Sequence, residues 1–204
     1  MLDAQNHTQN FMHRLIASLL TIVFLSTSIL LGAEREPARS YHETLSLQGV
    51  AFRIESEGAN GTSELVITPD GLKIDNSPFR QRIEGTVKSA EVADLNADGS
   101  PELYVYITLP GDQARGKVVA WSANKKKSLS EIYIPELAPG DPKLNGYRGR
   151  DEFAIVENIL ARRFPVYKDG DDDAKPSGGM RQFQYKLTTG EAGWKLRLDK
   201  TIEY

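Results

Sequence analysis

The sequence predicts an all-β fold, an antiparallel β-sandwich of about ten strands preceded by an N-terminal signal sequence. Three observations lead there. Apolar residues recur with a period of two, as strands that bury one face require. Turn-forming pairs such as Asp98-Gly99, Glu157-Asn158 and Thr189-Gly190 interrupt the runs at short intervals, which favours antiparallel connections. Beyond the first thirty-odd residues, no window sustains the i, i+3, i+4, i+7 pattern of a substantial helix.

Taken in order, Leu15 to Ala33 is an uncharged apolar stretch between Arg14 and the charged run Glu34-Arg35-Glu36. A basic start, an apolar middle and small residues before a cut describe an export signal. Residues 1–33 are therefore expected to be a signal peptide cut after Ala33, with Met12 as an alternative start. An uncut signal would serve instead as a membrane anchor, because the stretch is close to the roughly 20 residues that a spanning helix needs. Residues 34–43 are expected to be a flexible lead-in, and 44–204 a single domain. A chain of that size buries enough surface to be stable without staples.

Strands are expected near 44–56, 63–69, 71–75, 79–93, 102–109, 116–123, 130–134, 152–157, 159–168, 180–188 and 193–199. In the first, Leu45 and Leu47 are out of phase with Val50, Phe52 and Ile54, so Gly49 is read as a bulge. In the fifth, Leu103, Val105 and Ile107 alternate with Tyr104 and Tyr106, an aliphatic row on one face and aromatics on the other. Phe183, Tyr185 and Leu187 alternate with polar residues, as do Trp194, Leu196 and Leu198. No fixed-period repeat points to a propeller or solenoid.

Composition removes several kinds of chemistry. With no cysteine there is no disulfide scaffold, thiolate metal site or cysteine nucleophile. The 25 basic and 28 acidic residues give a net charge of −3, and the tight basic runs are short, so a nucleic-acid partner is not expected. Past residue 33 the one histidine is His42, and no G-x-S-x-G elbow occurs. Carboxylates are abundant but nothing selects a catalytic pair, so no catalytic residue is assigned and an enzyme is not expected.

The sharpest local pattern is Asp94-Leu-Asn96-Ala-Asp98-Gly99-Ser100-Pro-Glu102. Oxygen side chains at alternate positions followed by glycine suit calcium, which takes six to eight hard oxygen ligands. A full EF-hand is excluded, because its twelfth position would be Val105. Asp94, Asn96, Asp98 and Glu102 are the candidate ligands, with calcium the candidate cofactor and a plain Asx-rich turn the competing reading. A second acidic run, Asp169-Gly-Asp171-Asp172-Asp173, reads as a solvated loop.

Two connections hold candidate binding residues. Pro110, Gly111, Asp112, Gln113, Ala114, Arg115 and Gly116 join two apolar strands with residues unsuited to a core. The stretch 135–150 carries Tyr147, Arg148 and Arg150, side chains favoured as binding anchors on loops.

From Asp94 to Trp194 the sequence, in the stretches DLNADGSPELYVY, KKSLSEIYIPEL, DPKLNGYRGRDEFAIVE, RRFPVYKDGD and GGMRQFQYKLTTGEAGWKL, resembles the periplasmic inhibitors of invertebrate-type (i-type) lysozyme. The resemblance covers about half the chain. It implies a β-sandwich exported to the Gram-negative periplasm that blocks the lysozyme cleft with a protruding loop. The inhibitory loop would be 110–116, the partner an i-type lysozyme, and a homodimer is compatible with it. One departure matters. The family's loop carries a Ser-Gly-x-Tyr type motif, whereas this chain reads Asp112-Gln113-Ala114-Arg115 before Gly116. The rival reading is a calcium-dependent envelope module for glycan or protein, organised by the Asp94 loop.

Overall fold

The computed structural model describes residues 39–59 and 61–204, and the expected signal sequence lies outside them. The described residues form twelve β-strands arranged as three antiparallel four-stranded sheets. The first sheet is β1 (Arg39–Leu47), β2 (Val50–Ala59), β3 (Thr62–Asp70) and β4 (Phe79–Glu84). The second is β5 (Thr86–Ala93), β6 (Glu102–Thr108), β7 (Gly116–Ser122) and the short β8 (Ser130–Glu131). The third is β9 (Glu152–Val156), β10 (Ile159–Pro165), β11 (Met180–Thr189) and β12 (Trp194–Glu203). In every sheet, strands adjacent in sequence are adjacent in space.

The β-sandwich therefore has three layers, with the second sheet in the middle. One core packs Phe52, Ile54, Leu65 and Ile67 of the first sheet against Leu103, Val105, Ile107 and Trp121 of the second. The other packs Tyr104, Tyr106, Val118 and Ala120 of the second sheet against Leu160, Phe164, Phe183 and Leu196 of the third. The two-faced alternation of β6 explains the arrangement. Its aliphatic row fills one core and its aromatic row the other, so Glu102 to Ile107 are all buried. Burying each large apolar side chain contributes roughly 1.5–3 kcal/mol, and this strand draws that gain from both faces.

Several expectations change: the strand expected at 130–134 ends at Glu131, that at 159–168 ends at Pro165, and the last runs on to Glu203. Gly49 is not a bulge: with Gln48 it forms a two-residue hairpin turn, φ 81° and 53°, pairing Leu47 with Val50. That left-handed pair matches the twist of the flanking strands. The first strand begins at Arg39 rather than near 44, and so takes in part of the expected lead-in. Residues 71–75 form no strand; Lys73 and Ile74 donate backbone hydrogen bonds to Lys126 and Lys127 instead. The long strand expected over 79–93 breaks at Gly85, where the chain leaves the first sheet for the second. A Cβ there would fall 2.2 Å from the Thr108 carbonyl oxygen, so only glycine fits the crossing.

Candidate functional site

The loop Pro110–Gly116 is the hairpin connection of β6 and β7 and therefore projects from the end of the middle sheet. Its base closes where Leu109 N–H donates to Arg115 C=O at 2.8 Å. Residues 110–115 are exposed, in contrast to the strands that carry them. Arg115 Nε donates to Gln113 Oε1 at 3.0 Å, and its guanidinium carbon lies 5.9 Å from the centre of the Tyr147 ring. Among the described residues its two terminal nitrogens make no hydrogen bond or ion pair.

The second expected binding segment braces the first. Arg150 N–H donates to Gln113 C=O at 2.9 Å and to Ala114 C=O at 3.1 Å. Ala114 and Arg150 both adopt the left-handed region, φ 44° and 60°, a conformation costly for residues with a Cβ and held only where surroundings enforce it. Gly149 allows the approach: a Cβ on it would lie 2.0 Å from the Gln113 carbonyl oxygen. The segment is itself pinned to the third sheet, because Arg181 donates to Lys143 C=O and Asn145 C=O, and Tyr167 N–H donates to Gly146 C=O.

Beneath this contact lies Asp151. Its fully buried carboxylate accepts from Gly116 N–H at 2.7 Å, Tyr147 O–H at 2.5 Å and Arg162 Nε at 2.7 Å. Arg162 is surrounded by the rings of Tyr147, Phe153, Phe164 and Phe183. Burial works against its charge, but Asp151, helped by Tyr147 and Tyr185, offsets this and holds the guanidinium above its ordinary pKa. Burial, then the Asp151 carboxylate, pushes the Tyr147 hydroxyl up to about 12. A cavity of about 300 Å³ opens alongside, lined by Leu109, Arg115, Leu144, Tyr147, Phe153 and Arg162 among others.

Tyr147 is thus half-buried rather than an exposed anchor, while Arg150 is exposed and meets the loop through its backbone. Arg148 turns away. It bonds Asp173 Oδ1 at 3.0 Å and Asp171 C=O at 3.1 Å, and stacks 4.7 Å from the Tyr167 ring centre. The structure brings loop 110–116 together with Tyr147 and Arg150, and uses Arg148 to fasten the acidic loop 169–173. Within that loop, Asp171 caps Lys168 N–H, Ser177 N–H and the Ser177 hydroxyl.

Asp94, Asn96, Asp98 and Glu102 form a separate cluster between β5 and β6. Asp94 accepts from Asp98 N–H at 3.0 Å, Gly99 N–H at 2.9 Å and Gln48 Nε2 at 2.7 Å. Asp98 accepts from Ser100 N–H at 2.8 Å, and Asn96 Oδ1 from Asp98 N–H at 3.0 Å. Glu102 is wholly buried, and burial followed by the neighbouring Asp94 and Asp98 charges pushes its carboxyl up to about 8, against the opposing hydrogen bond from Leu95 N–H. His42 stands apart on β1, exposed and 3.9 Å from Glu55.

Gly149, Asp151 and Arg162 were not singled out from sequence. The close Gly146-x-x-Gly149 spacing before an acidic residue is a signal of tight backbone approach, but nothing local pairs Asp151 with a residue eleven positions on. No family model, curated protein or solved structure matches the chain.

Proposed function

We propose that the protein is an exported, non-enzymatic inhibitor of i-type lysozyme that places loop 110–116 in the enzyme's active-site cleft and so protects the bacterial cell wall. The observation that carries this reading is the brace between Gln113 and the Gly149–Arg150 backbone. An exposed loop held from its base and its flank loses little conformational freedom on binding, and affinity gains from that preorganisation. The resemblance from Asp94 onward supplies the identity of the partner, and residues 1–33 would supply export to the Gram-negative periplasm.

Arg115 takes the place of the family's tyrosine in this reading. Its terminal nitrogens are free to engage a lysozyme carboxylate through two parallel hydrogen bonds, a geometry guanidinium suits better than any other side chain. Asp112 and the exposed Arg150 flank it and widen the contact.

Titration of the purified protein against i-type lysozyme, with chicken-type and goose-type enzymes as controls and cell-wall lysis as the readout, tests the proposal. Selective, stoichiometric inhibition of the i-type enzyme is expected. No inhibition at micromolar concentration would mean that the scaffold serves another ligand.

A further inference from the structure

Glu102 opens β6 with none of its surface exposed. Its Oε2 accepts from Leu95 N–H at 2.9 Å, whereas its Oε1 is buried and makes no hydrogen bond of normal geometry, its nearest polar help being the hydroxyl of the cross-strand Ser122. An interior carboxylate oxygen left without a well-formed hydrogen bond is costly, and native structures rarely keep one without a reason. Oxygens of Asp94, Asp98 and Glu102 lie within 4.8 Å of one another. None of the ion pairs among the described residues involves any of these three carboxylates. Three acidic groups thus converge, one of them fully desolvated, with no protein cation to balance them.

We propose that Asp94, Asp98 and Glu102, with Asn96 at the rim, hold one calcium ion, with the buried Glu102 carboxylate as its innermost ligand. The donor set is all oxygen, which favours a hard cation over zinc or copper. The backbone hydrogen bonds that Asp94 and Asp98 accept leave lone pairs on the same oxygens, since each carboxylate offers about four acceptor sites. Asp98 is exposed and Asp94 and Asn96 are partly so. Water can therefore complete a coordination shell of six to eight, which calcium tolerates and the strictly octahedral magnesium does not.

The site lies at the start of β6, whereas loop 110–116 follows its other end. The ion would therefore not touch the proposed inhibitory loop. Through Asp94 and Gln48 it would fasten the β1–β2 turn of an outer sheet to the β5–β6 connection of the middle one. The role is structural, and the inference is independent of the lysozyme reading.

Calorimetry of the full chain, stripped with chelator and titrated with calcium chloride, tests the site, with magnesium chloride as control and thermal melts in parallel. One site is expected with a Kd of about 1 mM or tighter, and a melting temperature that climbs with calcium concentration as mass action requires. Glu102→Gln keeps an acceptor for Leu95 N–H and removes the charge; Asp98→Asn alters an exposed position where folding is not at stake. Each should weaken calcium binding at least tenfold and abolish most of the thermal shift. Absence of both heat and thermal shift in the parent protein would overturn the assignment. So would calcium binding that both variants retain unchanged, because the ion would then sit elsewhere and a buried water would satisfy Glu102.

Discussion

The buried carboxylate of Asp151 bonds Arg162 Nε at 2.7 Å through one oxygen and holds Gly116 N–H at 2.7 Å through the other. One side chain thus joins the third sheet to the foot of the exposed hairpin. The exposed loop rests on a desolvated ion pair inside an aromatic cage.

Removing one partner of such a pair leaves the other charge buried and unmatched. Asp151→Ala should destabilise the protein by about 3–5 kcal/mol, read from the denaturant midpoint at constant slope. A loss near zero would mean that water reaches Arg162 in the folded state.

Arg115 contributes its charge at the surface, and surface substitutions usually leave stability within about 0.5 kcal/mol. Arg115→Ala should therefore keep the melting temperature while raising the inhibition constant against i-type lysozyme at least tenfold. An unchanged constant removes this side chain from the contact.

Gly149→Ala separates the brace from the loop's composition. The added methyl meets the Gln113 carbonyl oxygen at 2.0 Å on a backbone with φ +99°. Relieving that overlap must displace the loop or the segment behind it, at a cost of about 1–3 kcal/mol. Inhibition should fall although every exposed residue of 110–116 is retained. Full inhibition with an unperturbed loop in amide NMR spectra would show the brace to be dispensable.

Acid should loosen the loop that Arg148 fastens. Hydrogen bonds from Lys168 N–H and from Ser177 N–H and hydroxyl hold the Asp171 carboxyl below its ordinary value of 3.8. A depressed folded pKa means that its stabilising contribution is present above that ordinary value and is lost as pH falls through the lower one. Carboxyl-carbon NMR should show Asp171 titrating below 3.8, with the Ser177 amide shifting in step; a normal midpoint would mean that the cap is not formed in solution.

The strands were legible because side-chain alternation is a local property. The aliphatic and aromatic faces of β6 were visible in the order of Leu103 to Ile107, and a strand apolar on both faces belongs to an inner sheet. The third layer was therefore written in the sequence but hidden by reading each face alone. Gly49 and Gly85 misled because a glycine in an alternating run marks a bulge, a hairpin or a crossing with equal ease; Gly85 is decided by the Thr108 carbonyl, distant in sequence. Loop 110–116 stood out by composition, whereas its support by Gly149 and Asp151 depends on contacts 35 or more residues apart. The Asp94–Asn96–Asp98 loop was found by spacing, and the burial of Glu102 became clear only when both faces of its strand were covered.

The layers also stack in the order in which they are written. Each sheet is a simple meander of consecutive strands, and the middle one lies between its neighbours in sequence as well as in space. Most strand pairings close short stretches of chain, and loop-closure entropy grows with the length enclosed. Meander pairing keeps partner strands closer in sequence than a Greek key does, so the chain should fold faster than a Greek-key sandwich of equal size. A chain emerging from its N-terminus can complete one meander before the next arrives, so an exposed apolar sheet face waits only for the segment that follows it.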